Sequence, residues 1–213
     1  MSSGFRNGTL VVDPSGATDS YIQYNEAATG KWRQGNDATD DSFRLSQGSS
    51  LGTSDTFIMS SAGERTLPLN PCFFAYLSGN DNNVTGNGTT YTIGTNVAFT
   101  EIFDQNSDFN TNGTFTAPIT GRYILNAGIF LGGCIGTGLN FRLVTSNNTF
   151  RTNVLSPVAV KNSGNAVQLG LSIICDMDAS DTATLTVQDS GGGGDTEDLL
   201  GGSSTYFSGN LLS

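Results

Sequence analysis

Val167, Leu169, Leu171, Ile173 and Cys175 interleave with Gln168, Gly170, Ser172 and Ile174, the period-2 pattern of a strand with one buried face. Ala183, Leu185 and Val187 repeat it against Thr184, Thr186 and Gln188. From Tyr123 to Leu131 both faces are apolar, with Ile124 and Phe130 opposite Leu125 and Ile129. That pattern predicts a central strand covered on both sides, by a core and by a subunit contact. Further runs at 72–77, 97–103, 114–117, 140–145 and 205–212 bring the expected total to about eight to ten strands. Two packed antiparallel sheets, a jelly-roll sandwich, suit such a set.

The first seventy residues read differently. Residues 1–70 hold 22 apolar side chains, 5 basic and 8 acidic ones, and Pro68 and Pro71 mark an extended connector to the rest. Asp41-Ser42-Phe43-Arg44-Leu45-Ser46 returns as Asp55-Thr56-Phe57-Ile58-Met59-Ser60, each copy a short strand around the turn at 48–52. Tyr21–Tyr24 and Lys31–Arg33 read as further short strands. So few large apolar residues can hardly close a core alone. Self-association solves this, with Trp32, Phe43 and Phe57 packed between copies as a stalk.

Composition narrows the chemistry. Gly, Ser, Thr and Asn supply 97 of the 213 residues, and there are only two Lys and four Glu, which disfavours long helices. With no histidine there can be no Ser-His-Asp or Cys-His nucleophile and no His-ligated metal. Nine basic against nineteen acidic residues, without clustering, argue against nucleic-acid binding. No apolar run approaches the roughly 20 residues of a membrane span, and no secretory signal is expected at the N-terminus. Cys72, Cys134 and Cys175 form no C-x-x-C pair and are expected as free, packed thiols.

Phe109-Asn110-Thr111-Asn112-Gly113-Thr114-Phe115-Thr116-Ala117-Pro118-Ile119-Thr120-Gly121-Arg122-Tyr123 resembles a central motif of the complement C-one-q globular-head family, within the tumour-necrosis-factor-like jelly rolls. Ser204-Thr205-Tyr206-Phe207-Ser208-Gly209-Asn210-Leu211-Leu212 resembles the closing strand of that family. The resemblance implies an all-β jelly-roll head over 71–213, with Phe115, Tyr123, Phe207 and Leu211 in the core, assembled as a homotrimer. In the first part, Gly30-Lys31-Trp32-Arg33, Asp41-Ser42-Phe43-Arg44, Leu51-Gly52-Thr53-Ser54-Asp55 and Ala62-Gly63-Glu64-Arg65-Thr66 resemble a short module of bacteriophage fibre proteins. It implies an attachment stalk over 1–70 that contacts other virion proteins.

The leading expectation is therefore a non-enzymatic phage protein, a tail fibre, head fibre or capsid decoration, located in the virion and touching host-surface glycan. The alternatives are a free-standing lectin-like or ligand-binding jelly roll and, a distant third, a polysaccharide depolymerase, which needs two carboxylates roughly 5–10 Å apart. Recognition is expected on the polar loops 80–90, 146–152 and 190–202, because loops tolerate change. Asp81, Asn82, Asn83, Asp195 and Asp198 are the receptor candidates. No cofactor is called for, although Asp81, Asp195, Glu197 and Asp198 offer oxygens for calcium, which takes six to eight.

Overall fold

The protein is described here by a computed structural model covering residues 2–6, 9–14 and 16–213. It divides into two compact units, 1–70 and 71–213.

In the first unit β1 (Ser2–Arg6) pairs with β2 (Thr9–Asp13). A five-stranded antiparallel meander follows: β3 (Ser20–Glu26), β4 (Thr29–Asp37), β5 (Ser42–Gln47), β6 (Asp55–Met59) and β7 (Arg65–Thr66). The two Phe-containing repeats are neighbours, with Phe43 opposite Met59 and Leu45 opposite Phe57. The expected short strands around Tyr21 and Trp32 are parts of longer ones. Their polar ends pair across a two-residue turn at Ala27 and Ala28, both at positive φ (48° and 64°). Among the described hydrophobic side chains of this unit only Leu51 is buried. The meander is a single layer without a core of its own.

The second unit is an antiparallel jelly-roll sandwich. One sheet contains β8 (Cys72–Leu77), β9 (Asp81–Thr85), β11 (Phe99–Gln105), β14 (Gly121–Gly132), β17 (Val167–Met177), β19 (Glu197–Leu199) and β20 (Gly202–Leu211). Its order is β11-β8-β20-β14-β19-β9, with β17 also on β14. The facing sheet contains β10 (Tyr91–Thr92), β12 (Phe109–Asn110), β13 (Thr114–Thr116), β15 (Leu139–Thr145), β16 (Thr149–Val154) and β18 (Thr182–Gln188), in the order β12-β13-β18-β15-β16 with β10 on β18. A single helical turn, α1 (Pro157–Val160), lies between β16 and β17. Apart from β8–β9, β12–β13, β15–β16 and β19–β20, strands consecutive in sequence fall in different sheets, so the chain crosses repeatedly around one shared core.

Alternation builds that core as expected. Phe73 stacks on Phe109 and Phe115 with ring centroids 4.8 and 4.9 Å apart and meets Phe207 edge-on at 5.1 Å. Phe115, Tyr123 and Phe207 are buried, and Leu211 is half-buried against them. The Tyr123 hydroxyl donates to the Ile119 carbonyl at 2.7 Å, which satisfies its one polar atom in an apolar setting. β14 is central, flanked by β20 and β17. Its inner side is buried, while Ile124, Asn126 and Phe130 on its outer side are only half-covered.

The register of β14 on β17, from Gly121 opposite Met177 to Leu131 opposite Val167, gives the unit two ends. At the base, where the chain enters at Pro71, lie the turns around 118–121, 146–148 and 178–182. Leu211 donates its amide to the Pro71 carbonyl and Ser146 to that of Thr182. At the tip lie 86–90, 132–138, 155–166 and 189–196, joined by Gly88 to Asp189, Cys134 to Asn165 and Gly192 to Gly86.

Three expectations about loops are corrected here. The loop predicted over 146–152 is a base turn followed by β16, whose alternating Thr149, Arg151 and Asn153 are exposed polar residues with no apolar signature. The loops predicted over 80–90 and 190–202 contain β9 and β19, which pair with each other through Glu197–Thr85 and Leu199–Asp81. Short, polar strands at or next to a sheet edge carry no clear hydrophobic period, so pattern reading passes over them. The alternation read from Val167 to Cys175 runs on to Met177 in the observed strand.

Candidate functional site

The meander has two chemically opposite faces. Strand pairing places Ser20, Ile22 and Tyr24 beside Asn36, Gln34 and Trp32, then Phe43 and Leu45, then Met59 and Phe57, all on one face. Tyr24 is 48%, Phe43 43% and Trp32 38% exposed. Three side chains expected to pack between copies, Trp32, Phe43 and Phe57, therefore share one open apolar surface. Gln34 and Asn36 interleave with the apolar side chains there, and uncovered aromatic side chains grouped in this way mark an interaction site.

The opposite face is held by charge. Arg44 Nε lies 3.1 Å from Asp37 Oδ2, and its two terminal nitrogens lie 2.7 Å from Asp40 Oδ2 and 2.6 Å from Asp55 Oδ2. Ser42 Oγ accepts from Arg44 Nε at 2.7 Å, and Ser46 Oγ donates to Asp55 Oδ1. Hydrogen bonds from Thr39, and then the guanidinium of Arg44, hold the Asp37 carboxyl below its ordinary range. Asp40 is lowered by Ser42 first and then by Arg44. Gly52 leaves room for this cluster, since a Cβ there would fall 2.8 Å from Asp37 Oδ2. The motif segments around Arg44 and Asp55 are thus two halves of one ion-pair network. Sequence pattern did not single out Arg44 as its centre.

On the head, the outer face of the β8–β20–β14 sheet carries aromatic residues. Phe103, Phe74 and Tyr206 form a row across three strands, with centroid spacings of 6.3 and 5.9 Å. Tyr206 lies on Gly128, where a Cβ would come within 2.5 Å of its ring. Ile124 and Ile174 pair further along the same face, and Phe103 and Ile174 are 50% and 61% exposed. A shallow cavity of about 240 Å³ opens there between Cys72, Phe74, Phe103, Asn126 and Asn210. The outer face of the other sheet is polar instead, built from Thr184, Thr186 and Gln188 on β18 and Asn140 and Arg142 on β15. Aromatic enrichment with few charges is the composition of a protein interface core.

At the tip, carboxylates expected to face a ligand are engaged internally. Asp81 is buried and accepts from the Tyr91 hydroxyl and, at 3.5 Å, from Asn96 Nδ2. Burial and this acceptor push Tyr91 up to about 12. Asp198 Oδ1 accepts from the Asn83 amide at 2.8 Å. Asp195 accepts from the Asn87 amide at 3.1 Å and Thr89 Oγ1 at 2.7 Å. Glu197 is fully buried and accepts from the amides of Ile135 and Gly136. Asp81 and Glu197 are thereby removed from the surface set, and Asn82 and Asn83 stay exposed. Among the described residues no group of three or more Cys, Asp or Glu side chains converges to hold a metal ion. The three thiols are unpaired, Cys134 and Cys175 buried and Cys72 half-buried.

No protein-family model and no curated protein matches the sequence. Solved structures do resemble the fold. Murine APRIL, crystallised at pH 8.0, aligns with 67% of this chain and 99% of its own at 9% identity and a TM-score of 0.49. The globular domain of zebrafish complement 1qA aligns with 68% of this chain and 98% of its own, at 15% identity and a TM-score of 0.46.

Proposed function

We propose that this chain is a non-enzymatic bacteriophage virion protein, a homotrimeric fibre or capsid decoration. In this reading the 1–70 unit attaches it to other virion proteins and the jelly-roll head presents its tip to host-surface glycan. One observation carries the assembly: each unit has a sheet with an uncovered apolar face, Trp32–Phe43–Phe57 in one and Phe103–Phe74–Tyr206 in the other. Copies of the same chain offer both faces the same partner. Burying them removes apolar surface from water at roughly 25 cal/mol per Å², and closed rotational symmetry ends the assembly without leaving a free patch. The phage role rests on the fibre-module resemblance of the motif segments, and the trimer number on that of the head.

The exposed tip residues Asn82 and Asn83 supply amide donors and acceptors suited to sugar hydroxyls. The reading is tested by electron microscopy of purified particles with antibody against the head, together with inhibition of adsorption by the isolated protein. Label on fibres or capsid surface and blocked adsorption are expected. A protein that is absent from the particle yet binds glycan would make it a free-standing lectin-like module instead.

A further inference from the structure

Two carboxyl groups are sealed together inside the tip. Asp189, after β18, and Glu197, on β19, are both 0% exposed. Each uses one oxygen to hold backbone. Glu197 Oε1 accepts from Ile135 N at 3.0 Å and Gly136 N at 3.2 Å. Asp189 Oδ1 accepts from Gly138 N at 3.2 Å and Ser190 N at 2.8 Å. The remaining oxygens, Asp189 Oδ2 and Glu197 Oε2, are buried and have no donor from the protein, while the two side chains lie within hydrogen-bonding reach of each other. A buried acceptor without a donor is costly, and Gly136 lies against both carboxyls, its amide donating to Glu197 while a Cβ on it would fall 2.4 Å from that of Asp189.

We propose that Asp189 and Glu197 share a single proton, and that this proton latches the tip loops 132–138 and 189–196 against each other. A proton between the two free oxygens supplies the missing donor and leaves one negative charge, which the four backbone N–H groups solvate. The geometry fits a proton better than a cation. The surroundings are N–H donors, and the ion pairs of the described residues include neither carboxyl. Gly136 is required by the arrangement, since a Cβ there would fall 2.4 Å from the Asp189 carboxyl.

The other groups facing the pair do not supply the proton. Cys134, in the first of the two loops, is a thiol pushed up to about 12 by burial and then by the charges of Glu197 and Asp189. Lys161 Nζ, from the segment before β17, is engaged with the Cys134 carbonyl at 3.1 Å. Thr85 Oγ1 from β9 accepts from the Asp189 amide and donates to the Thr89 carbonyl at 2.7 Å. Asp195 and Asp198 spend oxygens on Asn87, Thr89 and Asn83.

Burial and then the charge of Asp189 raise the Glu197 carboxyl from 4.5 to about 7, a value belonging to the pair rather than to one residue. The sign follows. The folded tip holds a proton that the unfolded chain has released, so the latch contributes fully below the unfolded value and is lost as pH rises to about 7. Above that, two like charges occupy one dry pocket and the loops open. The tip is therefore closed in acid and loosened at neutral to alkaline pH, whatever it binds.

Hydrogen exchange read by mass spectrometry on the full chain, at about pH 5.5 and about pH 8.5 with intrinsic rates corrected, tests this. Protection of 133–138 and 190–197 should fall by at least about tenfold at the higher pH, while the base turn at 118–121 stays unchanged. Glu197→Gln, whose amide donates permanently to Asp189, should keep both loops protected at either pH. In the unmodified protein, infrared spectroscopy should show a protonated carboxyl lost with a midpoint near neutrality, in step with the exchange. Equal protection at both pH values, or no such carboxyl band, overturns the proposal. Restoration of protection at the higher pH by added calcium would also overturn it, by making the pair a cation site.

Discussion

Arg44 reaches Asp55 across the β5–β6 pair at 2.6 Å, with the two side chains 14% and 7% exposed. In a unit where Leu51 is the one described hydrophobic side chain that is buried, this ion pair and its partners take the place of a core. Arg44→Ala would strand the Asp37 and Asp55 carboxylates, and removing one partner of a buried pair costs about 3–5 kcal/mol. Thermal melting followed by the single tryptophan, Trp32, should show that loss in the first unit, while the head's transition stays in place.

Acid should act on the same network. The Asp37 and Asp40 carboxyls are held below their ordinary value of 3.8 by Thr39 and Ser42 hydrogen bonds and by Arg44. Groups with depressed values stabilise the fold above the unfolded value and lose that contribution as pH falls through the folded one. The first unit should therefore lose stability below about pH 4, and tryptophan fluorescence across an acid titration would detect it. The tip pair runs the other way, so acid should loosen one unit while tightening the end of the other.

Apolar packing between copies is probed by Phe57→Ala. If the ring is buried in the assembly, its loss costs roughly 3–5 kcal/mol and makes melting more dependent on protein concentration. Melting of the assembly that is unchanged by the substitution would place Phe57 outside any interface.

Phe103→Asp addresses the head. Phe103 is half-exposed and stacks on Phe74 rather than entering the core, so the head should still fold, with unaltered near-ultraviolet circular dichroism. Association should weaken on the order of 10–100-fold, the usual effect of a charge replacing an interface aromatic.

The turn between β3 and β4 offers a gain. Ala27 and Ala28 both sit at positive φ, a conformation costing non-glycine residues about 1–2 kcal/mol each. Ala27→Asn with Ala28→Gly is the pair that such a turn favours, and it should raise the melting temperature of the first unit.

Period-2 patterning made the head's strands legible, because inner and outer positions along β17 and β18 differ in polarity, while the buried Phe115, Tyr123 and Phe207 followed from the resemblance of their motifs. It also grouped Trp32, Phe43 and Phe57 as packing residues. It failed where polar atoms satisfy one another. β9 and β19 pair through Asp- and Asn-rich stretches that read as loops, and Asp81 and Glu197 are held by partners no local pattern indicates, Tyr91 on the facing sheet for one and the amides of Ile135 and Gly136, 62 and 61 positions away, for the other. Arg44 lies within a motif segment, yet its role depends on Asp37, Asp40 and Asp55 meeting in space. The Asp189–Glu197 contact joins the end of β18 to β19, the strand next to the sheet edge, across the tetraglycine stretch 191–194, and neither residue carries a local signature.

Self-association through two apolar faces is the claim on which the functional reading stands. Sedimentation equilibrium of the full chain at micromolar concentration measures it directly. A single species at three times the 22.2 kDa chain mass, dissociated by Phe103→Asp and Phe57→Ala together, is the predicted result. A stable monomer at that concentration would contradict the account.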